Sequence, residues 1–565
     1  MSYFGINELA GRVLMFDFLL HFSCVCGHRF AVFLVAASVF SAGPLKADEP
    51  ANPDADLQGE YYAPDVVQEV HLSIAADQLQ RMYAALPERI YVPAVFRWRD
   101  RTIPNVAVRF KGNSSSNPDQ KHKRSFLVRF DKYEDSGRFL GMRRVSFDNG
   151  VQFGSLFSEP VVTEILQDLD VPVHRCNYAR LYLNEKYYGV YGNVERIDDT
   201  FLERQFGHSA GYLFKVDEGG PGGDMRFIGP EPTAYERAFE LKEGEQTPAY
   251  AELLRFLQAV NTPQPPDAVP EFESEFETES FLRVMAVMLY SGAFDQLTGW
   301  NSHNYYLYRD PLRQRWRYLP WDLDVGFCEL AFGRIHVLRD WHAAWPAPGG
   351  RPSPLLEQFI ASPRLLAEYR RVAGEILEQY FQPEVLSRKF DAKYALIQQA
   401  LEEDPFPKQR VTNPSDRGYE DIVRSMKQFA GRRYETAKQQ LKNPGPRPQP
   451  PRQSDSQPQP GPPSADAPSD LRMTANERNT VVLKWTDNCD NEAGTILQRA
   501  EGAEGGEFRN LIGQPGRNIT EATDRSVRVG MTYRYRVYSV MPTPRGMRGT
   551  GVSNVISVTV AGEEK

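Results

Sequence analysis

Cysteine is scarce in this chain, with five residues among 565. Cys24 and Cys26 lie near the N-terminus, whereas Cys176, Cys328 and Cys489 are widely scattered. None of these spacings is typical of a zinc site or of a disulfide framework. We therefore interpret the last three as buried thiols, since a chain of this size can build its own core without disulfides even after export.

Basic residues are also fewer than acidic ones, with 66 Lys and Arg against 74 Asp and Glu. The formal net charge is −8 and the pI is near 5.8, whereas a nucleic-acid-binding protein normally has a basic excess. The composition therefore argues against a nucleic-acid partner, although a local basic pocket for phosphate is compatible with it. Hydrophobic residues make up 41% of the chain, and its length of 565 residues predicts two or more domains.

A long hydrophobic run is missing as well. The apolar segment at residues 30–42 is shorter than the ~20 residues that a membrane-spanning helix needs. Arg29 precedes this segment and the small residue Ala47 follows it, a pattern typical of a secretory signal. We predict an export segment at residues 1–47, a polar tether at 48–64, and an exported protein (periplasmic, cell-surface or secreted) with no stable membrane span after signal cleavage. An uncleaved N-terminal membrane anchor is the alternative.

What the chain does contain is a succession of strand and helix patterns. Residues 65–330 mix strand-like and helical segments, and residues 355–441 are almost entirely helical. This mixture predicts an α+β domain over residues 65–442. Residues 443–467 are rich in Pro, Gln and Ser, a composition that cannot bury a core and predicts an extended linker.

The last segment, residues 468–562, has short strand patterns separated by turns. This is typical of a small all-β sandwich and resembles a fibronectin type III module. Trp485 would be its core tryptophan, and Tyr535 would be the tyrosine whose hydroxyl holds the corner before its strand. Nothing in the segment resembles a catalytic site, so we expect a spacer or an adhesion unit that binds a surface protein or a polysaccharide.

Polar side chains stand in two consecutive loops on either side of an expected hairpin in the larger domain. They are Asp295, Asn301 and Asn304 in the first loop, and Asp322 and Asp324 in the second. Mg²⁺ prefers oxygen ligands and keeps substrate phosphates in its shell. A base Asp on one loop, an amide ligand after it and a carboxylate on the next loop is the layout of kinase active sites.

A small polar loop upstream contains Ser114 and Ser115, and Lys123 follows it. Such a loop can present backbone N–H groups and hydroxyls to phosphate oxygens. An ordinary polar turn is the alternative, because the loop matches neither of the common Gly-rich nucleotide-binding patterns. Further along the chain, Glu195 directly follows a predicted strand and Lys215 lies in another. A Lys held by a Glu can be aimed at phosphates, although a surface salt bridge is the common alternative.

The ordered combination of several segments resembles the CotH family, the spore coat protein H type of atypical kinase. The segments are residues 108–115 (Val-Arg-Phe-Lys-Gly-Asn-Ser-Ser), 123–126 (Lys-Arg-Ser-Phe), 181–191 (Leu-Tyr-Leu-Asn-Glu-Lys-Tyr-Tyr-Gly-Val-Tyr), 304–308 (Asn-Tyr-Tyr-Leu-Tyr) and 316–324. They occur in the family's order and cover most of residues 65–330. The resemblance implies an atypical protein-kinase-like fold with a helical C-terminal part.

The resemblance further implies that the domain binds ATP and Mg²⁺ and phosphorylates Ser or Thr of secreted or surface proteins. On this basis Asp295 is the implied catalytic residue. The metal is expected on Asp322, with Asn304, Asn301 and Asp324 as further ligands. The nucleotide is expected near Ser114 and Ser115 and against Lys123 and Lys215, with Glu195 orienting one lysine, while Trp316 and Tyr191 are the candidates for stacking on adenine.

One departure from the family pattern bears on activity. An Asp and an Arg are expected between residues 153 and 159, and Phe153 and Ser158 occupy those places. A catalytically inactive surface or envelope protein with the same fold is therefore an alternative to an active kinase. A carbohydrate-processing enzyme is a third class, because two carboxylates are available, but no sugar-binding cleft can be identified from the sequence.

Overall fold

The computed structural model describes residues 53–561, with gaps. The gaps are residues 113, 119, 121–122, 151–154, 217–221, 294, 299–301, 332–334, 348–352, 407–412, 414–415, 448–459, 478–479, 491, 493, 516–518, 525–526 and 544–545. The expected export segment lies outside the described residues. No helix in the described part is long and apolar enough to cross a membrane.

Eleven helices occur among the described residues. They are α1 (Pro53–Tyr61), α2 (Ala76–Ala84), α3 (Ser158–Asp168), α4 (Asp199–Phe206), α5 (Gln246–Asn261), α6 (Thr278–Ser291), α7 (Val337–Asp340), α8 (Pro354–Ala361), α9 (Pro363–Tyr380), α10 (Pro383–Glu402) and α11 (Tyr419–Lys442). The long ones concentrate after residue 245, as the sequence predicts. Residues 284–291 of α6 are all buried, so this helix runs through the centre of the helical part.

The first sheet is a closed barrel of seven strands. They are β1 (Val67–Ser73), β2 (Val92–Trp98), β3 (Arg101–Lys111), β4 (Ser125–Arg129), β5 (Arg144–Asp148), β6 (Cys176–Leu183) and β7 (Lys186–Val194), in the order β1-β2-β3-β4-β5-β7-β6. The barrel closes where β1 pairs in parallel with β6. Alternate residues such as Val106, Val108 and Phe110 fill its interior, so the intervening ones face outward.

The segment expected as a polar tether is partly helical. Residues Pro53–Tyr61 form α1, and the Tyr61 ring is fully buried at its end. Its ring packs edge-on against Trp98 at 5.4 Å and against Phe139 at 5.0 Å between ring centroids. The end of the expected tether is therefore part of the barrel's core.

A second sheet connects the barrel to the helices. It contains β8 (Tyr212–Val216), β9 (Glu240–Glu243), β10 (Tyr305–Asp310) and β11 (Arg315–Pro320), in the order β11-β10-β8-β9, and a small ribbon of β12 (Leu330–Ala331) and β13 (Ile335–His336) follows. Strands β10 and β11 form the expected antiparallel hairpin, with Tyr305 opposite Pro320. This register brings the loop before β10 next to the loop after β11.

One buried ion pair joins the barrel to the helical part. The Lys123 ammonium group contacts the Asp404 carboxylate at 2.6 Å, and both side chains have no exposed surface. The same carboxylate accepts a hydrogen bond from the Val190 backbone N–H at 3.0 Å. Asp404 can approach β7 this closely because residue 189 is glycine with φ of +123°, and a Cβ there would lie 2.7 Å from the carboxylate. Burial lowers the pKa of Lys123, and Asp404 opposes this effect.

The C-terminal segment forms two antiparallel sheets around a common core. Its strands are β14 (Ser469–Glu477), β15 (Thr480–Thr486), β16 (Gly494–Glu501), β17 (Arg509–Pro515), β18 (Glu521–Asp524), β19 (Thr532–Thr543), β20 (Gly546–Gly549) and β21 (Ile556–Thr559). The orders are β14-β15-β18 and β17-β16-β19-β20, with β21 also on β19. Trp485 is buried in the core, as expected. The Tyr535 hydroxyl, which we expected to hold the corner before its strand, donates to the Asp524 side chain at 2.8 Å. The hydrogen bond to the backbone before β19 is made instead by Tyr533, whose hydroxyl accepts from Arg528 N at 3.2 Å.

We expect Asp404→Asn to destabilise the larger domain by about 3–5 kcal/mol, because the variant leaves Lys123 buried without its counter-charge. Urea denaturation followed by tryptophan fluorescence measures the change. The exposed pair of Arg371 and Glu375 on α9 supplies the matched control, and Glu375→Ala should leave the transition midpoint unchanged. An unaltered midpoint in Asp404→Asn would show that the buried pair does not hold the two parts together.

Candidate active site

A cavity of about 340 Å³ lies between the outer face of the barrel and the two loops that flank the β10–β11 hairpin. Its polar lining comes from four places in the chain. The polar lining residues are Arg109, Lys111, Ser115, Ser125, Asp148 and Asn149 from the barrel; Arg89, Ser155, Glu159 and Arg196 from the neighbouring segments; Lys215 from β8; and Asp295, His303, Asn304, Asp322 and Asp324 from the loops. The cavity thus collects both carboxylates and cations from residues far apart in sequence.

The Asp295 carboxylate is held by its own loop. The Asn304 side-chain amide donates to Asp295 Oδ2 at 3.2 Å and to the Asp295 backbone carbonyl at 3.0 Å. His303 Nε2 lies 3.4 Å from Asp295 Oδ1. Burial raises the pKa of Asp295, and His303 and Asn304 oppose this effect. The carboxylate is therefore fixed in orientation while it faces the cavity.

Asp322 and Asp324 follow the end of β11 and line the opposite side of the cavity. Asp322 has φ of +59°, a left-handed conformation that directs the chain into a tight loop. The Gln296 side-chain amide donates to the Trp321 carbonyl at 2.8 Å and to the Asp322 carbonyl at 3.2 Å, which ties this loop to the one that holds Asp295. The two loops are therefore fixed relative to each other.

The carboxylates of the cavity raise one another's proton affinity. Burial raises the pKa of Asp322 to about 7, and the negative charges of Asp148, Glu159 and Asp295 add to this, although Lys111 opposes it. Burial also raises the pKa of Asp324 well above its usual range, with Asp322 as the next cause. Such a concentration of buried negative charge is costly unless cations share the site.

Lys111 supplies one of those cations and was not predicted as a site residue. Its ammonium group forms an ion pair with the Asp148 carboxylate. Burial alone would lower the pKa of Lys111, but Asp148 and Asp322 outweigh it and raise the pKa. The ammonium also lies 5.6 Å from the centre of the Trp321 ring, and the Arg196 guanidinium lies over that ring at 4.6 Å. Trp321 thus supports two cations beside the cavity.

Glu159 is a second residue that sequence reasoning missed. It lies at the start of α3, and His174 Nε2 contacts its carboxylate at 2.8 Å, while the Leu323 backbone N–H donates to it at 3.3 Å. Burial opposes its ionisation, but His174, Lys111 and the Leu323 N–H together outweigh burial and lower the pKa of Glu159. The residue therefore anchors the loop that carries Asp322 and Asp324. The one feature of the sequence that could have indicated Glu159 is its position directly after Ser158, within the segment that departs from the family pattern.

The polar loop after β3 also reaches the cavity. Ser115 Oγ accepts a hydrogen bond from Ser125 N at 2.8 Å, and Ser125 Oγ accepts one from Asn149 N at 3.0 Å. This chain of bonds fixes the loop across the ends of β4 and β5. Ser115 lines the cavity as expected, whereas nothing is described for the Ser114 side chain. Asn301 and Phe153 lie outside the described residues.

Four expected site residues do not line the cavity. Lys123 pairs with Asp404 in the interior, so it is not exposed for phosphate. Glu195 pairs with Arg175 at 2.6 Å and Arg204 at 2.7 Å rather than with either lysine. Two aromatic side chains are likewise fully buried. The Trp316 ring packs against Phe256 and Phe214 at 5.2 and 6.2 Å, and the Tyr191 hydroxyl donates to the Arg124 carbonyl at 3.0 Å, so neither ring presents a face for adenine.

The donor chemistry of the cavity fits a hard divalent cation. The side chains of Asp322, Asp324 and Asn304 offer oxygen atoms, and the carboxylates carry raised pKa values that a cation would relieve. Among the described residues no three His, Cys, Asp or Glu side chains form a complete metal-binding group. Mg²⁺ is usually bound by one or two carboxylates together with waters and substrate phosphates, so such a complete group is not required.

The fold and the cavity define a class: a mixed α+β protein in which acidic loops after a β-hairpin face cationic side chains of a neighbouring sheet. The family model described as CotH kinase protein matches residues 108–437, more than half of the chain. The chain therefore belongs to the CotH kinase protein family, and the predicted family is confirmed. The match covers both loops that flank the β10–β11 hairpin.

One relative and two solved structures complete the comparison. The inner spore coat protein H of Bacillus subtilis (strain 168) is 23% identical over 323 residues, which cover 57% of this chain and 84% of that protein. A structure described as "Myokine structure" has a TM-score of 0.15 at 14% identity and covers 17% of this chain and 99% of that chain. A twitchin kinase region from C. elegans has a TM-score of 0.15 at 16% identity, and the match covers 18% of this chain and 17% of that chain. These two scores are too low to carry an argument, and the fibronectin type III likeness stays a prediction.

The charge of the cavity generates a stability prediction. A proton is bound more tightly by Asp322 in the folded chain, where its pKa is about 7, than in the unfolded chain, where it is ~4. Ionisation of Asp322 therefore costs the folded state stability as the pH rises from ~4 to ~7. In metal-free buffer Asp322→Asn should melt like the parent at pH 4 and about 2 °C or more above it at pH 8.

Asp310→Asn is the control of opposite sign. Burial opposes the ionisation of Asp310, but hydrogen bonds from Arg313 and the Leu312 backbone, together with the charge of Arg317, outweigh it and lower its pKa. Its charge stabilises the fold above the unfolded pKa, so the substitution should lower the melting temperature at neutral pH. Thermal scans across pH check both variants. A melting temperature for Asp322→Asn below the parent's at pH 8 contradicts the prediction.

Proposed function

We propose that this protein is an exported kinase that transfers the γ-phosphoryl group of ATP to a Ser or Thr hydroxyl of a secreted or surface protein. One observation carries the proposal: Asp295 faces a cavity that Asn304, Asp322 and Asp324 share with the ammonium groups of two lysines. Phosphoryl transfer depends on positioning, on cations for the phosphate oxygens and on a carboxylate near the attacking hydroxyl. The CotH kinase family match supports the same reaction class.

Asp295 is the residue assigned to the acceptor hydroxyl. Its carboxylate is oriented by the Asn304 amide at 3.2 Å, and burial raises its pKa, which makes it a stronger base than an exposed Asp. In the transfer step the hydroxyl proton passes to an Asp295 carboxylate oxygen as the hydroxyl oxygen attacks phosphorus. The bond between the γ-phosphorus and its bridging oxygen breaks, and ADP leaves with that electron pair.

Mg²⁺ would be held by Asp322, with Asn304 and Asp324 as further oxygen ligands. When bound, it neutralises charge on the phosphate oxygens. Gln296 keeps the Asp322 loop and the Asp295 loop together through its two hydrogen bonds, so the proposed ligand and the proposed base hold a fixed relation. Glu159 holds the Asp322 loop by accepting a hydrogen bond from the Leu323 N–H.

Lys111 and Lys215 are the cations assigned to the nucleotide phosphates. Both line the cavity, and Lys111 is held in place by Asp148. Lys111 thus takes the place that sequence reasoning gave to Lys123. Ser115 closes the same side of the cavity with a hydroxyl that the backbone of β4 fixes.

A non-catalytic binding protein of the same fold is the second candidate. It is favoured by Ser158, which occupies one of the two departing positions. Its hydroxyl shares a hydrogen bond of 2.9 Å with Ser155 and is fully buried, so it supplies no charge to the cavity. In this candidate the cavity binds nucleotide without transfer, and the C-terminal sandwich binds a surface protein or polysaccharide.

A labelled-ATP assay with Mg²⁺ tests the proposal. The purified chain should transfer label to itself or to a general acceptor protein, and Asp295→Asn and Asp322→Asn should each reduce the rate by about 100-fold or more. Asp391→Asn, an equivalent substitution of an exposed carboxylate on α10, should keep the parent rate.

Thermal shift with ATP separates the two candidates. A ligand at 100 times its Kd stabilises the fold by ~2.7 kcal/mol. Stabilisation without transfer in the parent chain favours the non-catalytic protein. If ATP neither stabilises the parent chain nor donates label to a protein, both candidates are contradicted.

A further inference from the structure

A second hollow of about 540 Å³ opens beside the active-site cavity and shares part of its wall. Both are lined by Arg89, Arg109, Leu127, Arg196 and Lys215. The hollow then continues along the outer face of the barrel toward β9. We call it the cationic groove, defined by the residues that line this second hollow.

The alternation of the barrel strands explains why the groove is continuous with the cavity. On β4 the outward-facing residues are Ser125, Leu127 and Arg129, because the residues between them fill the barrel interior. Ser125 lines the cavity, Leu127 lines both hollows and Arg129 lines only the groove. Arg129 pairs across strands with Arg144 on β5, and Leu127 pairs with Arg109 on β3. A row of cations therefore leads away from the proposed site of transfer.

The charge of the groove is opposite to that of the chain. Six arginines and two lysines line it, against the two glutamates Glu236 and Glu240, whereas the whole chain has a formal net charge of −8. Glu240 is already paired with Lys242. A local excess of cations in a concave surface concentrates anionic ligands.

Several of these cations have no acidic partner within the chain. Among the residues that the structure describes, Arg89, Arg109 and Arg237 make no ion pair, and Arg237 is exposed. The Nε atom of Arg144 is buried without a hydrogen-bond partner in the described part. By contrast, Arg129 is held by Asp131 at 2.6 Å. Guanidinium groups that make no ion pair keep N–H donors available, and their paired geometry matches that of a carboxylate.

We propose that the cationic groove binds an acidic segment, rich in Asp and Glu, of the protein whose hydroxyl is phosphorylated in the cavity. This inference rests on the proposed kinase function and names its substrate class. From Ser125 to Arg129 the distance along β4 is four residues, or about 13 Å. An extended peptide has the same rise, so acidic residues about four positions from the acceptor hydroxyl reach Arg129 and Arg144.

The groove suits a polypeptide better than the nucleotide. The cavity already contains Lys111 for phosphates, next to the proposed metal ligands. Arg129, Arg144 and Arg237 line only the groove and not the cavity. Nucleotide phosphates must lie near Asp322, so these more distant cations are left for a longer anionic ligand.

A binding experiment tests the groove independently of catalysis. The probe is a short fluorescein-labelled peptide with one Ser followed by consecutive Glu residues, and its partner has Gln in place of Glu. By fluorescence anisotropy the full chain should bind the Glu peptide about tenfold more tightly at low salt, and the difference should shrink as salt shortens the screening length. Arg144→Gln combined with Arg237→Gln should reduce the preference to about twofold or less. The control, Arg371→Gln with Arg424→Gln, removes two exposed helix arginines and should keep it.

Each outcome decides a separate claim. Equal binding of the two peptides, or a preference that survives in the groove variant, overturns the groove proposal. Loss of thermal stabilisation by ATP in the groove variant, with the peptide preference retained, assigns the groove to nucleotide and also overturns it. If the preference is lost in the variant as expected but no chain transfers phosphate, the kinase proposal fails and the groove stands as a surface for acidic protein segments. Transfer without a peptide preference rejects the groove alone.

Discussion

The buried pair of Lys123 and Asp404 is the interaction on which the arrangement of the larger domain depends. A lysine in the interior is tolerated only with a counter-charge, and the chain supplies one from the end of α10 rather than from the barrel itself. The absence of a side chain at Gly189 lets that carboxylate reach the β7 backbone. The barrel is thereby tied to the end of α10 in the helical part.

The cavity is built in the opposite manner, with charges left incompletely balanced. Asp322 and Asp324 gain protons more readily than usual because they are partly buried beside other carboxylates, and Lys111 opposes this effect at Asp322. A fold selected only for stability would pair or remove such groups. The same contrast recurs in the groove, where Arg89, Arg109 and Arg237 make no ion pair with the described residues. Both imbalances are expected where the missing charge arrives with a ligand.

The parts that the sequence predicted well depend on local pattern. The β10–β11 hairpin follows from two alternating runs around a turn, and its register brings Asp295, Asn304 and Asp322 to one cavity. Lys111 was missed because its importance comes from Asp148, a neighbour only through pairing of β3, β4 and β5. Lys123 was assigned to phosphate for the same reason: its partner lies 281 residues away in sequence. The burial of Trp316 against α5 could not be predicted from the local sequence either, because Phe256 lies 60 residues earlier in the chain.

The long separation of Lys123 and Asp404 also has a consequence for synthesis on the ribosome. Domains fold as their chain emerges, and contacts between distant positions form late. All seven barrel strands are complete by Val194, yet the interior charge near β4 stays uncompensated until more than two hundred further residues have been made. The nascent barrel therefore lacks this stabilising contact throughout the synthesis of the segment between Val194 and Asp404. A chain interrupted before α10 ends lacks the Asp404 carboxylate, so Lys123 has no counter-charge in such a chain.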